Sequence, residues 1–291
     1  MAGGVEPVPG PPGPARPGRT RRQEFERRQR RRSNLIAALS SLLVGALAVV
    51  LATSAPRWPE VRAAFFDRAA FEESFPLILD AFWLNVRVFL VAEAFILVLA
   101  LLVAVARSSR SPVLFPVRLL TTVYVDLFRG VPVLLVLFLL AFGVPALRID
   151  WLPNDPIFWG TVALILSYSA YVSEVYRAGI DSVHESQRLA ALSLGLTTFQ
   201  SLRHVVLPQA VRRVVPPLLN DFIALQKETS LLSVVGPIEA ARQAGIFSAR
   251  TFNFTSYVAA AVIFLAVTIP LTRFTDHLLA RQRRRTTVAR A

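Results

Sequence analysis

Apolar residues in this chain gather in long runs rather than alternating, and the runs are broken by short charged or proline-containing stretches. Six of them are near twenty residues: Leu35 to Ala52, Leu77 to Ala106, the stretch after Arg118 to about Val144, Ile157 to Ile180, Arg213 to Val235 and Ser256 to Leu279. A helix of about twenty apolar residues, rising about 1.5 Å per residue, spans the roughly 30 Å of bilayer hydrocarbon. The pattern therefore predicts an all-α polytopic membrane protein with six transmembrane helices.

The breaks set the orientation. Arg107, Arg110 and Arg118 follow the second run, and the chain begins and ends in arginine-rich segments, whereas residues 53–76 and the short loop from Pro145 to Pro156 carry more acid than base. Cytoplasmic loops collect Lys and Arg, so both termini are expected in the cytoplasm of a multi-pass plasma-membrane protein. Residues 1–34 form a Pro/Gly tract and an arginine run with too little apolar surface to fold. They are read as a disordered basic tail resting on anionic membrane lipid. Residues 35–76 hold the first span and an extracytoplasmic segment, 77–280 the main transmembrane domain, and 281–291 a second basic tail. Cleavage of the first run as a signal peptide near Thr53 and Ala55 is the rival reading, and the long basic leader favours an uncleaved span.

Composition narrows the chemistry. The 291 residues are 54% hydrophobic with a formal net charge of +13. The excess sits at the termini, with no basic, aromatic-interleaved domain, so topology explains it and nucleic acid does not. There is no cysteine and there are three scattered histidines, so no metal site is expected. Lys227 is the only lysine and follows Gln226, so there is no Gly-Lys-Ser/Thr phosphate loop and any ATP hydrolysis would have to come from a partner. No nucleophile-base set is visible, and no enzyme chemistry is expected.

Between the fourth and fifth runs lies a charged segment, residues 187–208 (QRLAALSLGLTTFQSLRHVVLP). Gln187 to Leu194 is rich in helix formers and is followed by Gly195 at the position of a left-handed cap. Thr197 and Gln200 have capping-box spacing, so a second helix is expected to run until Pro208 stops it. Gln187, Ala190, Ala191, Gly195, Leu196 and Pro208 mark this elbow.

Ala190-Ala191, then Gly195, then Val205 with Leu207-Pro208 resemble the EAA loop of the membrane subunits of bacterial ABC importers, with Leu189 where that loop usually has Glu. Other motifs resemble the polar amino-acid uptake permeases. These are Arg129-Gly130-Val131-Pro132; Ala170-Tyr171 with Glu174 and Arg177; Asn220-Asp221-Phe222-Ile223; and Lys227-Glu228-Thr229-Ser230-Leu231. The resemblance covers about Ala81 to Leu279. It implies a type I ABC importer bundle with a cytoplasmic coupling helix that docks on a paired ATPase. It also implies an extracytoplasmic amino-acid-binding protein and a second permease, either another copy or a relative. ATP and Mg would sit on the ATPase, with no cofactor on this chain.

The polar residues inside the runs point to a pathway on their own, because ionisable groups in a membrane face a cavity or one another. Asn220 and Lys227 are seven apart, as are Asp221 and Glu228, so the two pairs form neighbouring stripes of one helical face. Lys227, Glu228, Thr229, Ser230, Asp221, Asn220, Glu93 and Tyr171 are the candidate pathway residues. Lys227 and Glu228 either bind the two ends of a zwitterion, or neutralise each other or reach partners on another span. Glu174 is expected to pair with Arg177 or with a neighbouring helix near the loop, and Arg129, Gly130 and Pro132 to form a gate or membrane anchor. The expected function is uptake of a polar or charged amino acid by alternating access. A self-sufficient secondary transporter or channel is the alternative, and a membrane-anchored scaffold is a weaker one.

Overall fold

The computed structural model describes residues 21–108 and 111–288. The described residues are helical with no strand. The chain divides into two compact units, Met1–Glu60 and Val61–Ala291. In the first, α1 runs Arg21–Thr53, so helix starts well before the expected end of the tail at residue 34. A run of arginines forms helix readily once an apolar helix follows, because propagation costs far less than nucleation. The disorder expected of residues 1–20, the loop residue Arg110 and residues 289–291 lie outside the described residues.

The second unit begins around the short helix α2, Trp58–Phe65. Next come α3, Arg68–Ser108, which carries Pro76 inside it, and α4, Phe115–Gly130. They are followed by α5, Val133–Ala146, and α6, Pro156–Asp181. The elbow contributes α7, Glu185–Ser193, and the single turn α8, Thr198–Ser201. The long α9, Leu207–Glu228, gives way to a 3-10 segment, Thr229–Val235. Helices α10, Ala240–Thr251, and α11, Thr255–Val288, complete the unit.

Four helical stretches are long and apolar enough to cross a membrane, or five if the bent pair α4–α5 is one broken span. The expected third span is this pair, bent by 107° at Gly130-Val131-Pro132. Val131 is extended and Pro132 offers no N–H, so the helix cannot pass through. The expected fifth span is α9 plus the 3-10 segment, and α9 carries too many charged residues to meet the same criterion. Among the described residues, length and composition therefore give at most five of the six expected spans. The segment after Val235 contains α10, packed on α3 and α11 through Ala240 and Ala244 against Ile78, Phe82 and Ile263.

The main core joins α3, α5, α6, α9 and the 3-10 segment through Ile96, Leu137, Leu164, Leu225 and Leu232, all at or near zero exposure. Two glycines on α6 let α9 and its extension come close. A Cβ on Gly179 would lie 2.0 Å from Val214, and one on Gly160 would lie 2.3 Å from Leu232. The opposite faces are apolar and exposed, as Leu90, Phe95, Val98 and Leu102 on α3 show. Such a surface suits hydrocarbon rather than water.

Candidate functional site

The elbow is built as its residues dictate. His184 caps α7, and Leu194 ends it before Gly195, which takes φ +83. Thr197 and Gln200 form the reciprocal capping box: the Gln200 N–H donates to Thr197 Oγ1 at 3.2 Å and the Thr197 N–H to Gln200 Oε1 at 2.8 Å. The second helix does not stop at Pro208. One turn of π-helix, Leu202–Val206, leads directly into α9, and Pro208 occupies its first turn. The wider π turn directly before it accommodates a residue that has no N–H to give, so the helix continues through the proline. Val183, Val206 and Ala210 bury together against Ile180 and hold the elbow on the ends of α6 and α9, while the Arg213 guanidinium donates to the Ser182 carbonyl. Ala191 is buried and Leu196 half-buried, whereas Gln187, Ala190, Gly195 and Pro208 are exposed. Leu189, Leu194 and Phe199 also face outward, at 56%, 84% and 67% exposure.

Beside the elbow, Glu174 on α6 gathers three guanidiniums. Arg107 from the end of α3 bonds one oxygen, Arg177 bonds the other at 2.8 Å, and Arg129 lies at 4.0 Å. Arg177 also reaches Asp181 at 3.7 Å. The expected Glu174–Arg177 pair is present, and the neighbouring-helix partner is Arg107 of α3, 67 positions away, which no local spacing identifies. Arg129 further stacks over the Tyr171 ring, whose hydroxyl donates to the Arg129 carbonyl at 3.3 Å. Tyr171 thus joins the Arg129, Gly130 and Pro132 break through Arg129.

The candidate pathway residues separate into two groups. Asp221 and Glu228 turn inward, each with one carboxylate oxygen buried and without a hydrogen-bond partner among the described residues. Tyr168 lies beside Glu228, and Glu93 of α3 is within electrostatic reach of Asp221 and of Tyr176. Asn220 and Lys227 form the exposed stripe. Lys227 and Glu228 form no ion pair with each other among the described residues, and the residue of another span beside Glu228 is Tyr168 of α6. Ser230 donates to the Lys227 carbonyl at 2.8 Å, and Thr229 is fully buried.

Thr229 belongs instead to a polar junction that sequence reading did not find. Asn85 Nδ2 donates to Thr229 Oγ1 at 3.1 Å and to Glu239 Oε2 at 2.9 Å, and its Oδ1 accepts from the Ala240 N–H at 3.1 Å. Glu239 caps α10, accepting from the Ala241 and Arg242 N–H groups at 3.0 and 2.7 Å. Thr229 donates to the Gln226 carbonyl, and the Gln226 side chain accepts from Thr268 of α11 at 2.9 Å. No local pattern announces partners 154 positions apart. Among the described residues no group of His, Cys, Asp and Glu could hold a metal.

The model of the family described as binding-protein-dependent transport system inner membrane component matches residues 96–284. The probable glutamine ABC transporter permease protein GlnM of Bacillus subtilis (strain 168) is 38% identical over 209 residues, 71% of this chain and 93% of its own. The probable amino-acid permease protein YxeN of the same strain is 34% identical over 197 residues, 67% and 87% of the two chains. Among solved structures, the crystal structure of an amino acid ABC transporter with histidines superposes with a TM-score of 0.68 at 30% identity. It covers 74% of this chain and 98% of its own.

Proposed function

The chain belongs to the family of binding-protein-dependent transport system inner membrane components, and on that premise we propose that it imports a polar or charged amino acid by alternating access. It is an amino-acid ABC transporter permease, embedded in the membrane by its apolar helices. In this reading it works with a cytoplasmic ATPase dimer that carries ATP and Mg, an extracytoplasmic amino-acid-binding protein and a second permease. Six crossings are reached by counting α9 with its 3-10 extension, and both termini then lie in the cytoplasm.

The observation that carries the reading is the elbow. An isolated charged loop has no reason to be capped at both helices, anchored by buried Val183 and Val206 and yet leave Leu189, Leu194 and Phe199 exposed. Exposed apolar side chains on a rigid support fit a groove in a partner. Gln187, Ala190, Ala191, Gly195, Leu196 and Pro208 would then be the coupling loop, joined to α6 at one end and α9 at the other. Closure of the ATPases moves the loop and with it α9, whose Asn220, Asp221, Lys227 and Glu228, continued by Thr229 and Ser230 of the 3-10 segment, line the pathway together with Glu93 and Tyr171. Arg129, Gly130 and Pro132 gate the inner end. A substrate biases the cycle only through unequal affinity for the two states.

Reconstituted with its ATPase and binding protein, the chain is expected to import an amino acid from a panel of L-glutamine, L-arginine, L-glutamate and L-histidine only when MgATP is inside the vesicles. Phe199→Asp is expected to abolish import while the subunits still reach the membrane. Uptake by this chain alone without ATP would instead establish the self-sufficient transporter.

A further inference from the structure

We infer that Asn85 and Glu239 are positioning residues for translocation, clamping the pathway end of α9 to α3 and α10 so that the three move as one body. The inference rests on the reading of the chain as an importer subunit and adds to it two residues outside the polar stripes of α9.

Capping alone does not account for Glu239. Helix N-caps are ordinarily Asp, Asn, Ser or Thr, whose short side chains reach the backbone N–H groups of the next turn. Glu239 is fully buried, where a carboxylate is costly unless its lone pairs are filled. The longer side chain makes three bonds at once: two to the backbone of α10 and one to Asn85, 1% exposed on α3. Asn85 uses both faces of its amide, since it also receives the Ala240 N–H and donates to Thr229.

Thr229 opens the 3-10 segment, immediately after Glu228. Three residues on, Leu232 seats against Gly160 of α6. The end of α9 is thus gripped from α3 and α10 on one side and from α6 on the other, directly beyond Lys227 and Glu228. A displacement entering α9 at the elbow reaches α10 through this grip. A dry, fully bonded junction resists slippage because any rearrangement strands a buried donor or acceptor.

The test uses the full complex in proteoliposomes and reads ATP hydrolysis with and without binding protein, using MgATP as the probe. Glu239→Gln places an amide donor against donors, and Asn85→Asp sets two carboxylates together. In the paired exchange the new amide at position 239 donates to the new carboxylate at position 85, which still accepts from the Ala240 N–H and can take the Thr229 hydroxyl proton from the Gln226 carbonyl; the Ala241 N–H loses its acceptor, so the rescue is incomplete. Each single variant is expected to lower the binding-protein-stimulated rate about tenfold at unchanged half-saturating binding protein, and the exchange to return it to within about threefold of wild type.

Single variants that hydrolyse at the wild-type rate overturn the inference. So does an exchange that restores assembly of the complex but not the stimulated rate, because that marks a purely structural role. If none of the three variants assembles, Thr229→Val reads the same junction: a lowered stimulated rate supports the clamp and an unchanged one overturns it. A wild-type complex that shows no stimulation overturns the importer reading and the inference with it, whereas stimulation without rescue overturns the inference alone.

Discussion

Two levels of α3, at Arg107 and at Asn85, are tied to their neighbours by different physics. At the elbow end, Glu174 meets Arg107, Arg129 and Arg177, and two of the three guanidiniums are more than two-fifths exposed. At the far end, the Asn85–Thr229–Glu239 junction is buried, with the Asn85 amide bridging the Glu239 carboxylate and the Thr229 hydroxyl. Asn85 and Arg107 lie on the same helix, about 33 Å apart at the helical rise. Exposed charge pairs weaken with salt and exchange partners readily, while buried hydrogen bonds do neither. The elbow end is therefore the more adjustable one. On the proposed mechanism it is where a docked partner would substitute for internal contacts, and the far end would pass on what it receives.

The glycine contacts put this contrast under the greatest strain. Both lie between α6 and the α9 segment, but the neighbours differ in stiffness. A Cβ at Gly160 meets the flexible end of Leu232, whereas one at Gly179 meets the β-branched Val214 and, at 3.4 Å, the Ala210 carbonyl. Gly179→Ala is expected to destabilise the purified complex by about 2–3 kcal/mol and Gly160→Ala by about 1 kcal/mol, read as thermal unfolding midpoints. Equal losses would mean that α6 and α9 are no more tightly apposed beside the elbow than at the far end. Close steric contact there is compatible with adjustable charge pairs, since a well-fitted contact can serve as a pivot.

Glu174→Gln separates the electrostatic part of the difference from the steric part. It leaves three guanidiniums around a neutral amide and is expected to cost about 1–2 kcal/mol. Coupled ATP hydrolysis should fall at low salt, and the gap from wild type should narrow as KCl is raised, because salt screens the repulsion among the freed arginines. Glu239→Gln should show no such narrowing. A salt-independent loss in Glu174→Gln would place the elbow cluster in the same class as the buried junction.

Much of the architecture was legible because it depends on local rules. The capping box at Thr197 and Gln200, the interruption at Gly130-Val131-Pro132 and the Glu174–Arg177 pair each follow from spacing within one turn or from proline chemistry. The seven-residue spacing placed Asp221 with Glu228 and Asn220 with Lys227, but spacing cannot say which stripe turns inward. That depends on Tyr168 and on Glu93 of another helix. Pro208 misled because a proline ends a helix only when its N–H is needed, and a preceding π turn removed the need. Asn85 and Glu239 carry no local signal: a lone Asn in an apolar run and a Glu after Pro237 and Ile238 gain meaning only when folding brings them together.

Gly195→Ala is the mildest of these changes and isolates the shape of the elbow from its contacts. Nothing lies within 4 Å of a Cβ built there, so the substitution introduces no clash, yet φ of +83 is a conformation that an L-residue adopts at a cost. The penalty is about 1 kcal/mol. Because the site is exposed and far from the core, thermal stability of the complex should drop by no more than that. The angle between α7 and α8 should nevertheless relax, and with it the direction in which Leu194 and Phe199 face. Coupled ATP hydrolysis is then expected to fall two- to threefold, and Gly195→Asn, which tolerates the left-handed region better, to fall less. Identical rates for the two variants would show that the elbow is held in shape by its partner rather than by its own backbone.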